Sequence, residues 1–115
     1  MNDNLTINPL TPELSVSPQL EPSAMQAVAA RGYKSVINNR PDGEGGPAQP
    51  TAAAIEAEAR AAGLAYVHLP VSPAVQTPEE AARFKELLAT LPKPVLAFCR
   101  TGTRSTKLYN LSQAI

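Results

Sequence analysis

The sequence predicts an α/β fold in three layers, a mostly parallel central sheet flanked by helices. Three observations predict it. Short apolar or β-branched runs alternate with segments of helical periodicity from residue 21 onward. The most apolar run, Val95-Leu96-Ala97-Phe98, is continuous rather than alternating, as in a strand covered on both faces. At 115 residues the chain suffices for one domain and is too short for two, so a single domain over 1–115 is expected.

The elements follow in order. Residues 1–19 carry three prolines and two β-like pieces, Leu5 to Asn8 and Leu14 to Ser17, which read as an edge strand or hairpin. Glu21-Pro22-Ser23 opens a helix, since proline in the first turn lacks an N–H that is not needed there. Met25, Val28 and Ala29 share its apolar face, and Arg31-Gly32 ends it. Ser35 to Asn38 reads as a buried strand, and Asn39 to Pro50 as a long loop. A helix is expected from about Thr51 to Ala62, with Gly63 as its stop, then a strand over Ala65 to Leu69. Thr77-Pro78-Glu79-Glu80 starts the next helix, with Thr77 and Glu80 forming a capping box. Ala81, Phe84, Leu87, Leu88 and Leu91 give that helix its apolar stripe, and Pro92-Lys93-Pro94 breaks it. Val95 to Phe98 follows as the central strand, and a last helix begins near Arg104, carrying Leu108 and Leu111. In such sheets ligands bind beyond the carboxyl ends of the strands, where Cys99 sits.

Composition narrows the function. Apolar residues make up 43 % of the chain, enough for a packed core, and that core must be aliphatic because tryptophan is absent. Ten basic residues balance ten acidic ones, against a nucleic-acid partner or a polybasic membrane surface. No run approaches the roughly 20 apolar residues of a membrane span. Met1-Asn2-Asp3-Asn4 lacks the basic start and apolar stretch of a secretory signal, so a cytoplasmic location is expected. One cysteine forms no internal disulfide and nothing resembles a set of zinc ligands; neither metal nor cofactor is expected.

The chemistry points to Phe98-Cys99-Arg100-Thr101-Gly102-Thr103-Arg104-Ser105, a loop between a buried strand and a helix. Such a loop aims backbone N–H groups at one point and forms an anion nest. Gly102 permits a backbone conformation that a side chain would oppose. Arg104 adds a two-pronged donor with a permanent charge. The same field favours thiolate over thiol at a cysteine so placed. Cys99 and Arg104 are therefore the candidate catalytic pair, with Arg100, Thr101, Gly102, Thr103 and Ser105 as anion-binding residues. The expected substrate is a small sulfur or phosphorus oxyanion. The plainer alternative is a small buried core cysteine.

This loop, with Asn39-Arg40-Pro41-Asp42-Gly43-Glu44 upstream and His68-Leu69-Pro70-Val71 between, resembles the phosphatase-like domain of beta-lactamase hydrolase-like proteins, a family also labelled sulfur transferases. The similarity spans about residues 3 to 113. It implies the fold of the dual-specificity cysteine phosphatases, related in layout to rhodaneses. It implies Cys99 as nucleophile and Arg104 with the loop amides as anion holder. Ser105 matches the hydroxyl residue that, in phosphatases, helps the thiolate leave. Some family members are fused to a metallo-beta-lactamase-fold domain resembling persulfide dioxygenases, so a partner of that kind is an expectation.

Two departures from the phosphatase pattern favour sulfur. Tyrosine and dual-specificity phosphatases place five residues between Cys and Arg; here there are four, the rhodanese spacing. The stretch where those phosphatases carry an aspartic acid reads Leu69-Pro70-Val71-Ser72-Pro73-Ala74-Val75-Gln76-Thr77, without a carboxylate. General acid catalysis is typically worth about 10²–10⁴-fold, whereas sulfite leaves thiosulfate readily. Glu79, Glu80 or Asp42 could substitute if the fold brings one close. The first expectation is thus a sulfurtransferase cycling through a Cys99 persulfide. The alternative is a phosphatase cycling through a phosphocysteine, and the third reading a non-catalytic regulatory domain.

Three further residues are accessory candidates. His68, the sole histidine, could line the site, but reads first as a hydrogen-bonded structural residue. Arg40 and Asp42 follow a strand and could pair with each other or with the active loop, or simply build a Pro-Asp-Gly turn. Arg100 could meet a substrate or only solvent. Gly43 to Gly46 lacks the spacing and Lys-Ser/Thr end of a phosphate loop and reads as a mobile rim.

Overall fold

The structure, a computed structural model, describes residues 5–115; the Met1-Asn2-Asp3-Asn4 stretch lies outside the described residues. Its elements are β1 (Asn8–Thr11), β2 (Leu14–Ser17), a 3₁₀ turn (Pro22–Ala24), α1 (Met25–Ala30), β3 (Ser35–Asn38), α2 (Ala52–Ala61), β4 (Ala65–His68), α3 (Pro78–Thr90), β5 (Val95–Phe98) and α4 (Thr103–Gln113). Among the described residues the strands form one sheet in the order β1-β2-β5-β3-β4. β2, β5, β3 and β4 run parallel, and only β1 is antiparallel to its neighbour. The predicted α/β class and mostly parallel sheet are what is found.

Strand alternation assigns the layers. Val95 and Ala97 of β5, with Ile37 of β3, pack on Phe84 and Leu87 of α3 and Leu108 of α4. Leu96 and Phe98, with Val36, pack on Met25 and Val28 of α1 and Ile55 and Ala59 of α2. All four β5 residues are fully buried, which is why that strand shows no polar alternation. The core is not purely aliphatic as expected: each layer packs its aliphatic side chains around one fully buried phenylalanine, Phe84 on one side and Phe98 on the other. Each such buried apolar side chain contributes roughly 1.5–3 kcal/mol.

Two boundaries differ from expectation. The first strand is Asn8–Thr11 rather than Leu5 to Asn8, because the Thr11 hydroxyl accepts from the Glu13 and Leu14 N–H groups and sets the hairpin turn there. Leu5 and Ile7 instead pack onto the α1/α2 layer. The first helix is split into a 3₁₀ turn and α1, since Glu21 makes no side-chain cap at its start. The Thr77/Glu80 capping box forms as predicted: Thr77 Oγ1 accepts from Glu80 N–H at 3.1 Å and Glu80 Oε1 from Thr77 N–H at 2.8 Å. Among the described residues, no helix is long and apolar enough to cross a membrane.

Candidate active site

The carboxyl ends of β2, β5, β3 and β4 open onto one edge of the sheet, and the sequence-selected loop lies there. β5 delivers Cys99, and α4 begins at Thr103. The turn between them depends on Gly102, whose φ is 91°. A Cβ at this position would meet the Ser17 carbonyl at 3.4 Å, an ordinary contact, so it is the left-handed backbone conformation that calls for glycine here. Gln19 N–H donates to the Arg100 carbonyl at 3.2 Å and ties the loop to the same segment. The Gly102 N–H donates to Cys99 Sγ at 3.1 Å, placing a main-chain dipole on the sulfur.

Cys99 is only 1 % exposed, yet it lines a cavity of about 290 Å³. Pro73, Arg100, Thr101, Thr103, Arg104 and Lys107 form the rest of its wall. Cys99 is thus a buried residue at the wall of a cavity rather than on the surface. A larger groove of about 1090 Å³, between the Leu5–Thr6 segment and α1, carries no thiol.

Arg104 is buried in the first turn of α4, 7 % exposed. One terminal nitrogen donates to the Val71 carbonyl at 3.0 Å and the other to Glu44 Oε1 at 3.0 Å. Among the described residues its Nε has no hydrogen-bond partner. An unsatisfied buried donor costs about 1–3 kcal/mol, a cost that a bound anion would relieve. Glu44 Oε1 also accepts from Arg40 Nε at 2.9 Å, and Arg40 donates onward to Gln19 Oε1 at 3.0 Å. Burial pushes the Glu44 carboxyl upward, but hydrogen bonds and charge from Arg104 and Arg40 outweigh it, leaving Glu44 below the usual carboxylate range.

Asn39 braces this assembly. Its side chain donates to the Leu69 carbonyl at 3.0 Å and accepts from the Ser105 hydroxyl at 2.8 Å. Its backbone carbonyl accepts from Val71 N–H at 3.0 Å. One buried residue thus joins the ends of β3 and β4 to the first turn of α4.

The structure brings Cys99, Arg100, Thr101, Thr103 and Arg104 around one cavity and sets Gly102 beneath the sulfur. Three expectations need correction, while His68 takes the structural role read for it first. Ser105 is fully buried and its hydroxyl is given to Asn39, so it does not line the cavity. Asp42 pairs with neither Arg40 nor the active loop; its Oδ1 accepts from Ala52 N–H at 2.7 Å and caps α2. His68 bonds the Arg40 carbonyl through Nε2 at 2.8 Å, the structural role, away from the cavity wall. The Gly43 to Gly46 stretch is more than a rim: Gly45 N–H bonds Gln49 Oε1 at 2.7 Å, and Glu44 between them reaches both arginines. Of the substitute acids, Asp42 and Glu80 are committed elsewhere, Glu80 to its capping box, and Glu79 is exposed on the first turn of α3 and does not line the cavity. Sequence reasoning missed Glu44, Asn39, Pro73 and Lys107. Lys107 had a signal, lying four residues after Thr103 and three after Arg104 on one helix face; the others lie in loops, where no period announces a role. Among the described residues no group of three or more His, Cys, Asp or Glu side chains is placed to hold a metal ion.

Residues 6–115 match the family described as "Beta-lactamase hydrolase-like protein, phosphatase-like domain". The beta-lactamase hydrolase-like protein of Xylella fastidiosa (strain Temecula1 / ATCC 700964) is 43 % identical over 102 residues, which are 89 % of this chain and 23 % of that protein. This chain therefore spans less than a quarter of that relative. A crystal structure from Neisseria meningitidis Z2491, described as a candidate phosphatase, is 34 % identical with a TM-score of 0.85, covering 99 % of this chain and 78 % of the other. Kinase-associated phosphatase, solved with its catalytic-site cysteine replaced by serine, shares the fold at 15 % identity and a TM-score of 0.67, covering 96 % of this chain and 76 % of its own. The fold is that of the cysteine phosphatases. The family description and the Neisseria structure carry a phosphatase description rather than a sulfurtransferase one.

Proposed function

Because the chain belongs to the phosphatase-like domain family of beta-lactamase hydrolase-like proteins, we propose that it is a cysteine-dependent phosphatase working through a phosphocysteine at Cys99. In the first step the Cys99 thiolate attacks phosphorus, an S–P bond forms, and the P–O bond to the leaving group breaks. Water then cleaves the S–P bond and releases phosphate. The Gly102 N–H on Sγ supports negative charge there before attack and after departure. The hydroxyls of Thr101 and Thr103, the loop amides and the positive end of α4 would hold the phosphoryl oxygens, with Arg100 on the wall beside them. The observation that carries the reading is the buried Arg104 Nε, left without a partner among the described residues, in the first turn of the helix that follows the loop bearing the only thiol.

Phosphate release from para-nitrophenyl phosphate, lost in Cys99→Ser, is the expected result. Release that persists in Cys99→Ser would place the chemistry elsewhere.

A second reading, sulfur transfer through a Cys99 persulfide, is favoured by one feature: only Arg100 to Thr103 separate nucleophile and arginine, a loop shorter than the phosphatase pattern. Cys99-dependent thiocyanate formation from thiosulfate and cyanide, without phosphate release, would select it. Inactivity in both assays would favour a regulatory domain. The Xylella relative extends well beyond the region matched here. We keep a metallo-beta-lactamase-fold partner, domain or separate chain, as a proposal. The same holds for residues 1–115 forming one domain and for a cytoplasmic location.

A further inference from the structure

The cavity wall holds three cations, Arg100, Arg104 and Lys107, and no carboxylate. Arg104 alone, with the loop amides, suffices for the group being transferred. Arg100 and Lys107 are exposed, and among the described residues no hydrogen bond or ion pair engages either side chain. The segment between β4 and α3 contributes only Pro73 to the wall, a residue with no proton to give. The nearby carboxylates do not line the cavity: Asp42 accepts from the first turn of α2, Glu44 is held between two arginines, Glu80 closes its capping box, and Glu79 is exposed on the first turn of α3. A phosphate ester with a basic leaving oxygen would gain nothing here in place of the missing acid.

We propose that this site is specific for phosphoanhydrides, substrates whose departing group is itself a phosphate, and that Lys107 and Arg100 receive that group as an anion. This rests on the phosphatase reading and names its substrate class. In the first step the Cys99 sulfur bonds the terminal phosphorus. The bridging P–O bond breaks, and its electron pair goes to the oxygen of the departing phosphate, which leaves without a proton. The two cations offset the charge that accumulates on that oxygen, the task an acid performs in an ester phosphatase. Water then hydrolyses the phosphocysteine and a proton passes to solvent.

The test compares inorganic pyrophosphate, para-nitrophenyl phosphate and phenyl phosphate on the full chain and its Lys107→Ala, Lys107→Arg and Cys99→Ser variants. Pyrophosphate is expected to exceed phenyl phosphate in kcat/KM by about 10²-fold or more, the scale of the absent acid catalysis. Lys107→Ala should lower the ratio of pyrophosphate to para-nitrophenyl phosphate turnover by roughly tenfold, the loss of one charge-assisted contact, and Lys107→Arg should restore it. Phenyl phosphate turned over as fast as pyrophosphate, or a ratio unmoved by Lys107→Ala, would overturn the proposal while the phosphatase reading stands. Absence of Cys99-dependent phosphate release from all three substrates would sink both.

Discussion

Two of the three guanidinium nitrogens of Arg104 are fixed by protein acceptors, and the third is held ready with none. Lysine at this position would keep the charge but could not satisfy the Val71 carbonyl and Glu44 while presenting a further donor. Arg104→Lys is therefore expected to lower kcat/KM by about 10²–10³-fold, the range for losing one preorganised donor to a developing anion. Steady-state rates on para-nitrophenyl phosphate check this; a loss under fivefold would mean that Nε does not touch the transferred group. Cys99 and Arg104 were legible because they lie close along the chain, where a strand-loop-helix pattern can be read. Glu44 and Asn39 were not. Their contacts to Arg104 and Ser105 bridge 60 and 66 positions, and no local rule predicts which loop residue will meet which helix.

The loop from Asn39 to Pro50 changed most between expectation and structure. Its composition reads as open and mobile, yet successive turns fold it inward: Gly46 N–H donates to Gly43 O at 3.1 Å and Gln49 N–H to Gly46 O at 3.1 Å. A Cβ on Gly45 would stand 2.6 Å from a terminal nitrogen of Arg40, so that glycine lets the guanidinium lie against the backbone. The turn presents Glu44 to both arginines, and its charge has a sign that can be measured. The carboxyl sits below its ordinary range when folded, so its stabilisation is complete above the ordinary glutamate pKa and fades as pH falls through the depressed value. Glu44→Gln should be less stable at neutral pH and flatter through the acid range. Urea unfolding across that range is the measurement, and parallel pH curves for both proteins would refute the coupling. The helices were easier to read, since capping chemistry and apolar period are local; the Thr77 box needed no tertiary information. The first strand was displaced because a hydroxyl turn at Thr11 outranked weak β propensity at Leu5 to Asn8.

For the molecule entire, an oxyanion in the cavity should act as a fastener among the ends of several strands, because Arg104 is tied to Val71 and Glu44 while the loop is tied to Gln19. Tungstate or phosphate at a hundred times its dissociation constant should stabilise the fold by about 2.7 kcal/mol. A thermal melt with and without the anion tests this, and an equal shift in Arg104→Ala would relocate the binding. Sheet order carries a different consequence. β5 comes last of the strands in sequence but lies between β2 and β3, which do not pair with each other. Until the final third of the chain is in place, those two strands present bare hydrogen-bonding edges and invite self-association. The reactive sulfur enters on the segment that ends this exposure. How readily a bulky alkylating reagent reaches it during refolding should therefore report when the middle of the sheet has been filled.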